Sequence, residues 1–348
     1  METAFAVNAK EMKPKLSVVL PAMLGYDSVL APLDTWESQA CRDQLEILVL
    51  YPDHLGPTEA QLAAMPAGQV LIPVGTADLH QARAIGIGRA SADYVMLAED
   101  HCVPDPGWAR AILARIEEGC WDGIGPALRP GNRSSCWTEG SFLIGYGEWM
   151  IPIRGGPAKV LCGWNVILRT KWVRRAGAGL AEELLIGAFL VRRLRREGAR
   201  FYLEESARMR HFDPPGWAHE IFLVGLVGLG FGAKRTRDWP LLARLLYPLA
   251  FPAIAFLHWR RGLVQYLRAG RGCGLRVSTL GAAMALAAAW GLGEAAGAWL
   301  GTARVAPHLW RTEVKPVSRE NLAVSTALEE RFGLPAGAAC DVEPTNVS

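Results

Sequence analysis

The run Asp93-Tyr94-Val95-Met96-Leu97-Ala98-Glu99-Asp100-His101 limits what this chain can fold into more than any other stretch. Tyr94 to Leu97 are apolar in succession without a helical period, the pattern of a strand buried on both faces. The apolar run then stops at two carboxylates and an imidazole, and Pro104, Pro106 and Gly107 break regular structure within a few residues. In open α/β sheets ligands bind just beyond the carboxyl ends of such strands, where oxygen and nitrogen ligands suit a divalent cation. The alternative is an ordinary acidic turn that caps a strand.

The residues upstream supply the rest of a parallel sheet. Leu16 to Leu20, closed by Pro21, reads as a first buried strand, and Val29, Leu30, Leu33 and Trp36 mark a helix within 27–40. Glu46 to Tyr51 is a second strand that ends at Pro52-Asp53, so strand, helix and strand form a right-handed βαβ unit. Gln69 to Val74 is a third strand, and a helix from Asp78 to Ala92 leads into Asp93. Gly86-Ile87-Gly88 inside that helix is no dinucleotide fingerprint, because it precedes a strand and Ser91 stands where a third glycine would be.

Downstream, Trp108 to Gly119 reads as a helix and Ile124-Gly125 as strand. Residues 126–159 are rich in Gly, Ser, Pro and Trp, a long variable region of the kind that shapes an acceptor pocket. Trp137, Tyr146, Trp149 and Trp164 lie in or beside it, and their faces suit sugar rings or plain packing. Glu182 to Glu197 reads as one helix with a basic face at Arg192, Arg193, Arg195 and Arg196, and Phe201 to Met209 as a strand that leads to His211.

At 348 residues the chain has room for one large α/β domain and an appendage. A net charge of +3 is too weak to argue for nucleic acid, although arginines crowd the last third. The seven cysteines are odd in number and lack CxxC spacing, so neither a disulfide framework nor a zinc site is indicated and a reducing compartment is expected. Met1 to Lys15 has no apolar core of a cleaved signal peptide, which places the catalytic part in the cytoplasm.

Beyond Pro215 the composition turns apolar: Ile221 to Phe231, Leu241 to Leu257, and Ser278 to Leu300, whose one charge is Glu294. Two spans would put the basic loop between them outside, against the positive-inside tendency. The expectation is monotopic attachment by Leu241 to Leu257, with Ser278 to Leu300 either spanning once or packed into the same bundle. A soluble helical bundle is the alternative. From Thr302 the chain reads as a polar tail, with Pro335 to Ser348 disordered.

Taken together these pieces resemble a family 2 glycosyltransferase of the GT-A fold. The likeness rests on Leu16 to Pro21, Glu46 to Leu50, Ala82-Arg83 with Gly86-Ile87 and Ala90, Asp93-Tyr94-Val95 into Glu99-Asp100-His101 and Pro104, Gly163-Trp164-Asn165, Arg193-Leu194 with Gly198, and His211. It covers residues 16–215. It implies an α/β, Rossmann-like nucleotide-sugar-binding domain at 16–215, between an N-terminal tail at 1–15 and a helical membrane-associated region at 216–301, with the tail at 302–348. The implied activity is inverting, metal-dependent transfer of a sugar from a nucleotide-sugar donor to a lipid-linked or cell-envelope polysaccharide acceptor. A non-catalytic nucleotide-sugar-binding or scaffolding protein on the same fold is the alternative.

The resemblance also implies roles. A Mn2+ or Mg2+ ion held by Asp100, with His101 and His211 as further ligands, would neutralise the charge that the departing nucleoside diphosphate gains. Pro21, Asp53, Arg83 and Glu99 would bind the donor, and Trp149, Trp164 and Asn165 the acceptor. The chain departs from the family pattern at Asp53, which lies beyond Tyr51-Pro52, and at Ala84, where the family tends to have asparagine. Such enzymes need a carboxylate base about six residues before Arg193, but Gly187 stands there. Glu183, one helical turn earlier, is expected to substitute, or else to be a solvated carboxylate at a helix start. Membrane lipids are an expected partner and nucleic acid is not; the expected location is the cytoplasmic face of the cell membrane.

Overall fold

The computed structural model describes residues 13–214, 216–310 and 314–331. Most of the tail expected at 1–15, and the disordered end expected from Pro335, lie outside the described residues. The chain opens with β1 (Leu16–Pro21), α1 (Leu30–Glu37), β2 (Leu45–Tyr51), α2 (Glu59–Ala63), β3 (Gln69–Pro73), α3 (Leu79–Arg89) and β4 (Tyr94–Leu97). β1 lies between β2 and β4 and is parallel to both, with β3 parallel to β2 beyond it. Alternate residues feed two cores. Leu16, Val18 and Leu20 join one layer with Trp36 and Trp108, whereas Val19, Leu48, Leu50, Val95 and Leu97 join the other with Ile87 and Leu190. Burial on both faces is why these strands read as unbroken apolar runs.

α3 begins where its cap dictates. The Asp78 carboxylate accepts the backbone N–H groups of His80 and Gln81, and the Gln81 side chain accepts the Asp78 N–H in return. It ends before the expected Ala92, because Ser91 leaves the helix to donate from its N–H and hydroxyl to Glu46 on β2.

The second half of the sheet follows: β5 (Cys102–Pro104), α4 (Trp108–Glu117), β6 (Gly123–Pro130), α5 (Cys136–Tyr146), β7 (Gly156–Ala158), β8 (Ile167–Arg169), α6 (Thr170–Arg174), α7 (Leu180–Glu183), α8 (Gly187–Arg196) and β9 (Phe201–His211). The strand order is β3-β2-β1-β4-β8-β6-β9-β5, with β7 paired to β9. The expected α/β class holds, with a mixed sheet in place of a purely parallel one: β8 runs antiparallel to both β4 and β6. The stretch expected as a variable region at 126–159 is partly regular. It starts inside β6, and Ser135 caps α5 by accepting the N–H groups of Trp137 and Thr138.

The helix expected over Glu182 to Glu197 is broken in two. Ile186 is extended (φ −140°, ψ 99°) between α7 and α8. Gly187 packs so closely on the 163–165 loop that a Cβ there would lie 2.3 Å from the Gly163 carbonyl oxygen.

The remaining helices are α9 (Trp217–Arg235), α10 (Leu241–Leu246), α11 (Phe251–Gln265), α12 (Thr279–Leu300), α13 (Thr302–Leu309) and α14 (Arg319–Arg331). Two stretches are long and apolar enough to cross a membrane, Leu241–Gly270 and Thr279–Leu300. They differ in surroundings: 61% of the most apolar part of the second is buried, against 6% for the first. α12 packs against α9, α11 and α5. Its approach to α9 depends on missing side chains, since a Cβ on Gly232 would lie 1.9 Å from the Glu294 carbonyl oxygen and one on Gly297 would lie 2.0 Å from that of Leu229.

Of the stretch expected as a polar tail, residues 302–310 and 314–326 pack back onto the protein. α13 buries Val305 and Leu309 against α9 and the α7–α8 turn. Val317 packs on Val103 and Phe212, Arg319 pairs with Asp34, and Arg210 donates to the Thr326 hydroxyl. Short apolar anchors spaced through a charged sequence leave no periodic signal.

Candidate active site

Pairing of β5 with β9 sets Cys102 opposite His211, and the Phe212 N–H donates to the His101 carbonyl at 2.9 Å. The two imidazoles therefore meet, with ring centroids 4.7 Å apart, just past the carboxyl end of β4. Behind each ring stands a carboxylate. His101 Nδ1 is 2.8 Å from Asp100 Oδ1, and His211 Nδ1 is 3.2 Å from Asp213 Oδ2. The Nε2 atoms face Glu99, at 3.7 Å from Oε1 for His101 and 3.8 Å from Oε2 for His211.

Glu99, His101 and His211 are buried, and one ligand atom from each lies within 4.8 Å of the others. Both Nε2 atoms lack a hydrogen-bond partner among the described residues. Leaving a buried polar atom unpaired costs about 1–3 kcal/mol, so these atoms and the carboxylate between them fit a cation. Burial first, then the charges of His211, Lys315 and Arg83, push the His101 pKa well below its usual value. It is therefore neutral, as a ligand must be. The Asp100 carboxylate fixes the His101 tautomer with Nε2 directed at the shared space, and Asp213 stands 3.2 Å from His211 Nδ1.

Asp100, the residue expected to hold the metal, sits behind His101. Its Oδ1 takes His101 Nδ1, and both oxygens accept the backbone N–H of Lys315, at 3.2 and 3.3 Å. Burial pushes the Asp100 pKa up to about 7, against the pull of that N–H. Glu99, expected at the donor, is the carboxylate of the group that could hold a metal ion. It accepts the Tyr146 hydroxyl at 2.8 Å and the Asn165 amide at 2.5 Å. Asn165 adopts the left-handed region (φ 55°), which asparagine tolerates, and also accepts the Glu99 N–H at 3.2 Å. It is wholly buried and holds Glu99 in place.

Lys315 ties the two halves together. Its Nζ lies 3.1 Å from Asp213 Oδ1 while its N–H serves Asp100. Burial alone would lower its pKa, but Asp213, Glu220 and Glu99 outweigh that and raise it, so it is an ammonium. Glu220, fully buried beside them, is pushed up to about 8 by burial and then by Asp213, and keeps its proton at neutral pH.

A cavity of about 330 Å³ lies beside this cluster, lined by Glu99, Asp213 and Lys315 together with Trp149 and Trp164. The Arg83 guanidinium stacks on the Trp164 ring at 3.9 Å and is itself buried. Pro21 and Asp53 stand apart, at the carboxyl ends of β1 and β2, where Asp53 Oδ1 accepts the Gly75 N–H at 2.7 Å. Glu183 does not join the site. It pairs with Arg193 at 2.8 Å, and the carboxylates on the cavity wall are Glu99, Glu148 and Asp213.

Asp213, Lys315 and Glu148 are site residues that the sequence did not disclose, and Tyr146, read from the sequence only as a ring face, uses its hydroxyl on Glu99. Asp213 lies past the end of β9, so its only signal was its place two residues after His211. Lys315 had none.

No protein-family model matches the sequence, and no curated protein matches it. Among solved structures 146 chains match. One is described as the crystal structure of GalNAc-T7 with UDP, GalNAc and Mn2+, and is 11% identical over 65% of this chain at a TM-score of 0.43. The match takes in 52% of that chain, about half its length. So distant a likeness adds nothing to the strand order and the site geometry, on which the fold assignment rests.

Proposed function

We propose that this chain is a metal-dependent glycosyltransferase that moves a sugar from a nucleotide-sugar donor to a lipid-linked or polysaccharide acceptor, at the cytoplasmic face of a cell membrane. The observation that carries the reading is the buried Glu99, His101 and His211 set at the carboxyl end of β4, whose Glu99 lines a cavity of about 330 Å³. One carboxylate and two imidazoles favour Mn2+ over Mg2+, which prefers all-oxygen surroundings. A cation there would neutralise the charge that develops on the departing nucleoside diphosphate.

The chain's own residues supply the rest. Asp100 and Asp213 orient the imidazoles, and Tyr146 and Asn165 orient Glu99. The loops after β1 and β2, with Pro21 and Asp53, receive the nucleoside part of the donor, as ligands do at strand ends in such sheets. Arg83 lies close enough for its charge to bear on Asp100, and Trp149 and Trp164 offer ring faces to sugars from the cavity wall. For the base, Glu183 is engaged by Arg193, which favours Glu148 on the wall. That same engagement, with Gly187 where the family has its acid, favours a second reading in which the fold binds nucleotide sugar without turnover.

Membrane attachment is supported by the exposed side chains of α10, α11 and the turn between them, where Leu241, Leu249 and Phe256 are 70%, 77% and 56% exposed. The experiment is a panel of nucleoside diphosphate sugars with Mn2+, scored for release of nucleoside diphosphate and for transfer to lipid extracts and glycans. Release and transfer support the transferase. Donor binding without either supports the second reading, and absence of donor binding refutes both. In the same assay Glu148→Gln abolishes turnover with donor binding intact, while Glu183→Gln keeps it; the reverse outcome restores Glu183 as base.

A further inference from the structure

Asp213 stands behind His211, yet β9 ends at His211 and no strand pairing reaches two residues further. Pro214 follows and has no N–H to donate. On the neighbouring strand, β6 ends at Pro130, in register with His211. Backbone pairing between the two strands stops one step later, where the Gly131 N–H donates to the His211 carbonyl at 2.6 Å.

A side chain carries on from that point. Asn132 donates from Nδ2 to the Asp213 carbonyl at 2.6 Å and accepts the Asp213 N–H at Oδ1 at 3.0 Å. A carboxamide presents the same donor and acceptor as a peptide group, so Asn132 adds one rung to the β6–β9 ladder after the strands have parted. Both backbone groups of Asp213, a buried residue, are thereby bound. The loop that bears Asn132 is anchored on each side of it. Gly131 lies against Phe212, where a Cβ would come within 2.5 Å of the ring. Arg133 donates to the carbonyls of Cys273 and Gly274 and pairs with Glu139 at 3.5 Å.

The place of the Asp213 backbone matters because its two carboxylate oxygens have separate tasks. Oδ2 stands 3.2 Å from His211 Nδ1, and Oδ1 accepts from Lys315 Nζ at 3.1 Å. Both distances are at the long end of hydrogen-bonding range, so a small outward shift of the backbone loses both contacts.

Resting on the metal assignment of the transferase reading, we infer that Asn132 is a positioning residue of the metal set, holding the Asp213 backbone so that the Asp213 carboxylate keeps the His211 imidazole directed at the space it shares with Glu99 and His101. Asn132 belongs to the stretch expected from the sequence to shape an acceptor pocket, and it serves the metal end of the site instead.

Mn2+ affinity of the full chain and its variants is read from the free Mn2+ signal in electron paramagnetic resonance. Asn132→Ala is expected to lose about tenfold of that affinity. Asn132→Leu, which keeps the volume and loses both hydrogen bonds, is expected to lose as much, and a leucine variant that binds like the parent overturns the assignment. In an Asp213→Ala background no carboxylate is left to place, and the further loss of Asn132 is expected to cost less than about twofold. The same loss in that background as in the parent would make Asn132 a general structural support and overturn the inference. The metal-free chain gives a second, independent reading. With histidine isotopically labelled, the ring-nitrogen resonances of His211, assigned through His211→Ala, are expected to move in Asn132→Ala in the same direction as in Asp213→Ala; unmoved resonances overturn the inference. A parent chain that binds no Mn2+ refutes the metal assignment, while the His211 resonances of the metal-free chain still decide the role of Asn132.

Discussion

His101 and His211 are distant in sequence and become neighbours through a three-residue strand pair, so their roles stand or fall together. Removing either imidazole leaves Glu99 facing only one. His101→Ala and His211→Ala are each expected to lower Mn2+ affinity by more than a hundredfold, read as free Mn2+ signal in electron paramagnetic resonance. Asp213→Asn, which keeps the shape but not the charge behind His211, is expected to lose about 10–100-fold. A third buried histidine, outside the metal set, offers a pH test. His80 near the start of α3 is held down to about 4, first by burial and then by Arg83, against the opposing pulls of Asp78 and the Leu184 backbone. Below its ordinary value of 6.5 the unfolded chain takes up a proton that the folded chain refuses, so stability falls between about pH 6.5 and 4 and then levels. From pH 7 to pH 5 the loss from this one group is about 2 kcal/mol. Urea melts at the two pH values should show that drop reduced in His80→Gln, and an unchanged drop would remove His80 as its source.

Among elements, the segment around Lys315 does the least expected thing, in that it returns from the helical region to brace Asp100 and Asp213 together. Lys315→Met leaves the Asp213 charge buried without its ammonium, and Mn2+ affinity is expected to fall about 10–100-fold. Tighter Mn2+ binding in that variant would instead make Lys315 a competitor of the metal. Glu139 joins α5 to the start of α12, fully buried and accepting Arg276, Thr279 and Arg133. Glu139→Ala removes a buried acceptor and leaves the buried Thr279 hydroxyl without it, and is expected to cost about 1–3 kcal/mol in a denaturant titration. What was legible in the sequence divides along the same lines. β1, β2, β3 and β4 could be read because burial on both faces writes continuous apolar runs, and α3 because Asp78 and Gln81 write its cap. β5 and β8 span three residues each, too short for any period, and without β5 nothing in the sequence brings His211 to His101. Glu99-Asp100-His101 stood out as chemistry, but only tertiary pairing distinguishes the residue that faces the shared space, Glu99, from the one that orients its neighbour, Asp100.

For the whole molecule, α12 and α10–α11 have opposite surroundings although both are apolar. α12 is the central packed helix, and Gly232→Leu or Gly297→Leu on its contact with α9 is expected to prevent folding of the helical region. α10 and α11 face outward. Of the arginines that flank them, Arg268 donates to the carbonyls of Gly147, Met150 and Pro152, Arg276 pairs with Glu139, and Arg244 donates to Ala298. With these committed to packing, apolar contact outweighs charge in the attachment proposed above. The full chain is therefore expected to sediment with anionic vesicles and to stay with them through a high-salt wash; complete release by salt would assign the attachment to electrostatics.

The central claim is that a cation held by Glu99, His101 and His211 is what lets this fold engage a nucleoside diphosphate sugar. It is tested most directly by isothermal titration of nucleoside diphosphate sugars into the full chain, with and without Mn2+, and into His211→Ala. The account predicts a donor whose affinity rises at least tenfold with Mn2+ in the parent chain and is indifferent to Mn2+ in the variant. A donor that binds equally well without Mn2+, or a His211→Ala chain that keeps the full Mn2+ effect, would contradict it.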